Sequence, residues 1–316
     1  MNRSLPSIDA ALSASRLKTG LALACATALV SGISVFVNAS AVRAFDDPVL
    51  FTTLKNGVAA MLLLAMALAV VRGPWIPRAG VVPGLVALGV LGGSIPFVLF
   101  FTGLAEATAP AAAVIHKTLF VWVAILAVLF LGERLGRLQV MAIGALLASQ
   151  LLIQAPTGVG WSTGETLIAA ATAFWAVEII VAKRVLVDVR SPVAAAARMG
   201  IGLVLLVVFL GFSGGLDGIG SLGAEQWAWV LITGVLLTGY VGTWYAALRR
   251  APASAVTAIL TLGAPITAVL QLASTGQVPA LGPVLGYAIG AAAALAIGWL
   301  ALRQPSTERL PASAEA

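Results

Sequence analysis

Apolar runs close to twenty residues long recur from one end of this chain to the other, and they limit the fold more than any other feature. Each run can cross a hydrocarbon core of about 30 Å as an α-helix, which rises about 1.5 Å per residue. Of the 316 residues, 60% are hydrophobic and 9% are charged, whereas a soluble domain has roughly a quarter charged residues. The runs do not alternate between polar and apolar residues, as β-barrel strands would. We therefore predict an all-α polytopic protein of the lipid bilayer.

Turn residues and charges divide the apolar runs into ten predicted spans. Basic residues precede the first span, as in a signal peptide, but its run is too long for one and we predict that it is not cleaved. The predicted spans are Gly20–Val42, Pro48–Val71, Val81–Leu104, Ala107–Leu131, Leu138–Ala155, Glu165–Ala182, Pro192–Phe212, Gln226–Leu248, Ala251–Ala273 and Leu281–Leu302.

The lysines and arginines predict which way the spans run. Fourteen of the eighteen lie on alternate connections or at the termini, one lies on the opposite side, and three lie within spans. Cytoplasmic loops retain basic residues, so both termini are predicted to be cytoplasmic in a bacterial-type inner membrane. Because the basic residues are spread over many short connections, the charge does not indicate nucleic-acid binding. The opposite side has Arg43 and a set of acidic residues, Asp46, Asp47, Glu106, Glu165, Asp217 and Glu225.

The chain also contains a weak internal repeat. An offset of 144 residues aligns Pro48 with Pro192, Leu104 with Leu248 and Gly132 with Gly276. Each half has five spans, an odd number, so the second half must enter the membrane from the opposite side. This is an inverted-topology repeat, in which substrate sites lie near the midplane between the halves. The predicted boundaries are a cytoplasmic segment 1–19, repeats 20–155 and 156–302, and a cytoplasmic tail 303–316.

Two segments carry a family resemblance, "TGLAEATAPAAAVIHKTLFVWVAILAVLFLGERLGRLQ" and "YAALRRAPASAVTAILTLGAPITAVLQLASTGQ". With their Ala-rich helices, Leu-Gly-Glu at 131–133 and Pro265, they resemble the EamA-type branch of the drug/metabolite transporter superfamily. The sequence departs from the family pattern at Val121, at Gly276 with Gln277, and at Glu178. The resemblance implies a ten-helix carrier that works by alternating access, with its cavity lined by both repeats and spans 5 and 10 at the periphery.

Ionisable residues inside the spans are the first candidates for the site. His116, the only histidine, and Lys117 lie in the middle of predicted span 4, where charged groups usually mark substrate pathways. Adjacent helical residues point about 100° apart, so we assign Lys117 to the cavity and His116 to a neighbouring helix. The alternative is a neutral histidine bonded to a carbonyl and a lysine reaching outward. With a usual pKa near 6.5, His116 would carry a coupling proton if water reaches it, or only orient the helix.

Three further charges and several polar residues complete the candidate set. Lys55 and Arg198 occupy near-mirror positions, and either role, binding or reaching for headgroups, fits them. Glu178 is predicted four residues from the inner end of span 6, as a cavity carboxylate or, preferably, a partner for a cation. Aromatic residues in spans are more often packing or interfacial. The remaining candidates for lining the path are Asn38, Gln271, Tyr240, Tyr245, Trp122, Trp175 and Trp244.

Pro96 and Pro265 predict helix kinks, because proline cannot donate the helical hydrogen bond to the carbonyl four residues earlier. For Pro265 this would free the carbonyl of Thr261, which the 144 offset aligns with Lys117. We therefore predict that a free acceptor and a cation meet at the midplane. A kink used only for packing is the alternative. Glu133 is predicted to be a structural or gating residue at a cytoplasmic helix end.

These observations favour a secondary exporter of a small metabolite. Lys55, Lys117, Arg198 and His116 outnumber Glu178 within the spans, which predicts an anionic or zwitterionic substrate such as an amino acid or organic acid. The chain has no nucleotide-binding motif and no metal-ligand motif, so we expect no cofactor and no enzyme. An intramembrane enzyme that uses His116 on a lipid-embedded substrate is the alternative. The sequence leaves a homodimer open.

Overall fold

The computed structural model describes residues 8–71, 79–107, 109–153 and 161–303, and all regular structure in this part of the chain is helical. The first repeat contains α1 (Ile8–Ala41), α2 (Pro48–Val70), α3 (Val82–Gly93), α4 (Ile95–Glu106), α5 (Ala109–Lys117), α6 (Leu119–Leu126) with a π-helical turn (Ala127–Leu131), and α7 (Arg137–Ile153). The second contains α8 (Thr163–Asp188), α9 (Ser191–Phe212), α10 (Ala224–Leu248), α11 (Ala253–Leu260), α12 (Gly263–Thr275) and α13 (Leu281–Arg303).

Within the described ranges, nine helical stretches are long and apolar enough to cross a membrane, and α7 is a shorter tenth apolar helix. α7 packs along α13. A Cβ atom at Gly286 would lie 2.8 Å from the Ser149 carbonyl oxygen, and one at Gly290 would lie 2.8 Å from the Ser149 hydroxyl. The glycines of α13 therefore allow α7 to approach it closely.

Three predicted spans are broken, each near its middle. Span 3 breaks at Ser94, where the backbone leaves the helical region at φ −138° and ψ −72° just ahead of Pro96. Span 4 breaks at Thr118 and span 9 at Thr261 and Leu262. The breaks in spans 3 and 9 lie just ahead of Pro96 and Pro265, where kinks were predicted, whereas the break in span 4 was not predicted. The residue at the break in span 4, Thr118, is not a typical helix breaker. Its hydroxyl donates to the Ile115 carbonyl at 2.6 Å.

The 144-residue offset is preserved in the backbone. The helices that follow the breaks, α6 and α12, begin at residues 119 and 263, which differ by 144. The two central spans also end on equivalent glycines, Gly132 at φ 70° and Gly276 at φ 68°. This is the left-handed conformation that ends many helices and that glycine adopts without steric cost. Both repeats therefore bend and end their central spans at matching positions.

Polar contacts between loops and helix ends define two ends of the bundle. At one end, here called the basic end, Arg190 bonds the Val70 carbonyl at 3.2 Å and Lys183 bonds the Ala251 carbonyl at 3.0 Å. At the other, the acidic end, Gln226 bonds the Ala44 carbonyl at 3.2 Å. At each end of the bundle, helices of both repeats begin or terminate, as inverted topology requires.

Helix α8 extends further than the sequence indicated. It continues to Asp188, six residues beyond the predicted end of span 6, because Lys183 and Arg184 project from it to carbonyls of neighbouring segments. Glu178 therefore lies ten residues from the end of the helix and not four. At 1.5 Å per residue this places it about 15 Å inside the bundle.

Candidate functional site

Lys117 is the last residue of α5 and stands at the break in the first central span. Its side chain is half-buried, and no hydrogen bond or ion pair joins it to another described residue. The sequence placed it away from any helix end, which was wrong, because the break comes directly after it.

His116 lies within a group of aromatic rings. Its ring centroid is 5.0 Å from that of Trp175 on α8 and 5.3 Å from that of Phe100 on α4, both at edge-on angles. The Nδ1 atom is buried and has no hydrogen-bond partner among the described residues. As predicted, His116 faces neighbouring helices, here α4 and α8. The predicted alternative of a bond to a backbone carbonyl is not seen at Nδ1.

The carbonyl of Gly92 links this aromatic group to a buried charge. Pro96, four residues later, has no N–H to donate to it. Two side chains of the second repeat donate to it in place of that N–H: the Trp175 indole at 3.3 Å and the Arg198 guanidinium at 2.9 Å. The sequence predicted a freed carbonyl and a cation that meet at Thr261. The structure has such a pair at Gly92 instead, where the cation is Arg198.

Glu178 and Arg198 form an ion pair inside the second repeat. The Arg198 Nε atom lies 3.5 Å from Glu178 Oε1, and the Tyr245 hydroxyl donates to the same oxygen. Glu178, Arg198 and Tyr245 are 2%, 9% and 0% exposed. The preferred prediction for Glu178, a partner for a cation, agrees with this geometry. α8, α9 and α10 are joined at this point.

Gly92 makes room for the pair. A Cβ atom at this position would lie 2.6 Å from Glu178 Cγ and 2.8 Å from Arg198 Nε. The glycine therefore supplies both an acceptor and the space in which the two charged side chains meet. Sequence reasoning missed it, although a proline four residues after a glycine was the available signal.

Lys55 and Asn38 form a separate polar contact nearer the acidic end. Lys55 Nζ donates to Asn38 Oδ1 at 3.1 Å and lies 5.0 Å from the centre of the Phe51 ring. Asn38 in turn donates to the carbonyl of Ser34 at 2.7 Å. Lys55 and Arg198 are each the eighth residue of their helices, so their mirrored depth agrees with the sequence. They lie in different repeats and in separate hydrogen-bond groups.

The predicted meeting of Thr261 with a cation does not occur. The Thr261 carbonyl accepts from the Ala264 N–H at 3.1 Å, so the local turn satisfies the acceptor that Pro265 releases. Its hydroxyl donates to the Ala258 carbonyl at 2.6 Å. Short-range bonding of this kind follows from the break at Leu262, three residues ahead of Pro265, where the sequence predicted a kink.

The remaining aromatic candidates lie in different surroundings. Tyr240 is half-buried and stacks on Trp244 at 6.1 Å between ring centres. Trp122 is 49% exposed, and its indole donates to the Thr118 hydroxyl at 3.2 Å. Gln271 is exposed near the acidic end of α12. The structure therefore brings together His116 and Trp175, and separately Glu178, Arg198 and Tyr245.

Glu133 binds the start of α11 in the other repeat. Its carboxylate accepts from the Ala253 N–H at 2.5 Å, from the Ser254 N–H at 3.2 Å and from the Ser254 hydroxyl. These are first-turn N–H groups with no partner inside the helix, and the helix dipole also favours an anion there. The group, here called the Glu133 cap, is buried and joins the two central spans at the basic end.

Burial differs between the two halves of each central span. All seven residues from Ala253 to Ile259 are buried, whereas none from Ala264 to Leu270 is. In the first repeat, none of the seven residues from Ala113 to Leu119 is buried. Seven consecutive helical residues point in every direction around the axis. The acidic-end halves are therefore less buried than the basic-end half of the second central span.

Comparison with known protein families shows which class of protein has this architecture. The model of the EamA-like transporter family matches residues 18–154 and again 162–299. The chain belongs to the EamA-like transporter family. It is thus a multi-pass membrane transporter with a small-molecule substrate, and its family consists of transporters, which fits the expectation that it is not an enzyme.

A solved structure shares the fold. It is a crystal structure of a protein that is 17% identical in sequence. The alignment has a TM-score of 0.70 and covers 90% of the present chain and 98% of the chain in that structure. At this identity the likeness concerns the fold alone. No curated protein matches the sequence.

Proposed function

We propose that the protein is a secondary exporter that moves a small anionic or zwitterionic metabolite, such as an amino acid or organic acid, by alternating access. The observation that carries this proposal is the half-buried, unpartnered Lys117 at the break of the first central span. An uncompensated cation inside a membrane protein is costly unless water or a counter-charge reaches it. A carboxylate of the metabolite would supply that counter-charge.

The accessible halves of the central spans support a cavity that opens at the acidic end. α5 packs on α8 and α12 on α1, whereas α6 packs directly on α11. The central spans therefore meet at the basic end and have different neighbours at the acidic end. We propose that the substrate enters this gap and lies between the repeats, 20–155 and 156–302, with Lys117 and His116 on one wall and Thr261 on the other.

The basic end is assigned to the cytoplasm of a bacterial-type inner membrane because it carries most of the arginines and lysines. In this orientation the structure corresponds to the stage of export in which the site faces outward. Trp122, Tyr240, Asn38 and Lys55 would contact the substrate along its path. A proton is the proposed coupling ion. A single copy of the chain contains all of the proposed site residues, and a homodimer is also compatible with the proposal.

Transport by purified protein in sealed vesicles tests the proposal. We expect counterflow of a labelled amino acid or of a labelled mono- or dicarboxylate, and no movement of quaternary ammonium dyes. Lys117→Ala should lower the rate at least about tenfold, because a hydrogen bond to a charged group contributes about 1.5–3 kcal/mol. Wild-type rates from this variant, or movement of the dyes alone, would contradict the proposal.

Matched variants separate a charge effect from misfolding. Lys117→Arg keeps the positive charge and should retain more transport than Lys117→Ala. Lys55→Ala removes a cation that is already bonded to Asn38, and it should lower the rate less. Equal recovery of all three variants from the membrane as monodisperse protein shows that each of them folds.

A further inference from the structure

Glu178 is the only carboxylate that the described chain holds deep within a span. Glu133 and Glu165 are also buried but lie at helix ends, whereas Glu178 is ten residues from the nearer end of α8. Carboxylates at such depth are rare, and in transporters they commonly form proton relays. Its burial alone does not assign a role, since an ion pair can also be structural.

The mirrored position in the first repeat argues against a purely structural role. The 144 offset aligns Glu178 with Ser34 on α1, and Arg198 falls within one residue of the position equivalent to Lys55. There the cation bonds Asn38, a neutral amide. A neutral partner therefore suffices to hold a cation at this depth. A carboxylate, the one partner that can also take up a proton, occurs only in the second repeat.

The surroundings of Glu178 determine what protonation would do. Among the helices packed on α8, α9 contributes Arg198 and α10 contributes Tyr240 and Tyr245, while α3, α6 and α11 contain no ionisable side chain. α5 contributes His116 and Lys117, and α4 has only Glu106, at its far end. One carboxylate and one guanidinium make the buried group neutral. A proton on Glu178 would leave the Arg198 charge uncompensated.

A path of contacts connects this group to the proposed substrate. Arg198 and Trp175 both donate to the Gly92 carbonyl, and the Trp175 ring contacts His116, the neighbour of Lys117. An anion beside Lys117 would partly offset the positive charge that protonation of Glu178 adds, because the two charges have opposite signs. Binding of the anion and binding of the proton should therefore favour each other.

Resting on the proposed function, we propose that Glu178 is the site of the coupling proton and that the proton leaves together with the anionic metabolite. The metabolite would move outward down its own gradient, and one proton would leave on Glu178 in each transport cycle. No bond other than the O–H bond on Glu178 forms or breaks. Tyr245 keeps the carboxylate oriented toward Arg198, as its hydrogen bond indicates.

The test measures proton and anion movement together in vesicles that contain the full chain and a trapped pH-sensitive dye. The probe is the labelled amino acid, mono- or dicarboxylate that gives counterflow. Wild type should acidify the lumen as the anion enters. Glu178→Gln should keep counterflow but lose both the acidification and the accumulation driven by a pH gradient, at least tenfold.

Infrared difference spectra recorded on adding the anion give a second measurement. They should show no change in the carboxyl band if Glu178 has only a structural role. A protonated carboxyl band should appear in wild type and be absent in Glu178→Gln. If that variant does not fold, Glu178→Gln combined with Arg198→Gln removes both charges and should show the same loss of proton movement. Acidification that persists in the Glu178 variants, or that is replaced by alkalinisation in wild type, would overturn the assignment. Absence of any counterflow in wild type would instead contradict the proposed function.

Discussion

The two ends of the central spans are built from equivalent sequence positions but are stabilised differently. At the basic end, Glu133 binds the first turn of α11, and the residues around it are buried. The equivalent of Glu133 at the acidic end is Gln277, which is exposed. The equivalent of Ser254 is Pro110, which has neither a hydroxyl nor a backbone N–H. An inverted repeat makes the ends alike in geometry, and these substitutions make them unlike in energy.

The unequal ends bear on the proposed transport cycle. A two-state carrier with equal ends would divide evenly between its two conformations, whereas a few kcal/mol at one end suffices to favour one of them. In the proposed exporter the Glu133 cap would supply such a bias without contacting the substrate. The cap would then have to be released in each cycle, so it should be strong enough to matter and weak enough to break.

Removing the cap should have the largest effect on stability. Glu133→Ala leaves the Ala253 and Ser254 N–H groups without an acceptor in a buried place, and we expect a loss of about 2–3 kcal/mol. Thermal unfolding of the purified protein should therefore begin at a lower temperature. Gln277→Ala at the mirrored position should change stability by no more than about 0.5 kcal/mol, as exposed substitutions usually do. Equal shifts in the two variants would remove the energetic difference between the ends.

Building the missing cap should have a smaller effect in the opposite direction. Gln277→Glu combined with Pro110→Ser restores a carboxylate, a hydroxyl and a backbone N–H at the acidic end. A helix cap contributes about 1 kcal/mol, which corresponds to roughly a fivefold shift in population toward closure of that end. Thiol labelling of a cysteine at position 268 should slow by that factor, and Gln277→Glu alone should slow it less. Faster labelling in the double variant would contradict the proposal that positions 110 and 277 can form a cap equivalent to the Glu133 cap.

The sequence predicted the parts of this fold that depend on hydrophobic length and on repetition. Span number and the 144-residue offset follow from runs such as 192–212 and from pairs such as Gly132 and Gly276, which need no knowledge of contacts. Helix breaks were harder. Pro96 and Pro265 indicated the breaks in spans 3 and 9, whereas Thr118 is an ordinary residue within an apolar run and no local pattern marked the break there.

Site prediction failed where partners come from distant helices. The rule that proline frees a carbonyl was applied at Pro265, where a local turn satisfies Thr261, while the same rule at Pro96 led to Arg198 more than a hundred residues away. Glu133 was predicted at a helix end, but its partners on α11 are 120 residues further along the chain. Residue type indicated which groups need partners. Only the fold could show which partners they find.

The most direct test of this account is the water accessibility of the two halves of the second central span. Each residue from 253 to 259 and from 264 to 270 is replaced singly by cysteine, in a background in which Cys25 is serine. An impermeant thiol reagent is then applied to each side of the membrane in turn. We predict rapid labelling at positions within 264–270 from the outer side only, and labelling at least about tenfold slower throughout 253–259, because 1.4 kcal/mol of opening energy is a factor of ten. Labelling of 253–259 as fast as 264–270, or labelling of 264–270 only from the cytoplasmic side, would contradict a carrier that is closed at the Glu133 cap and open at the opposite end.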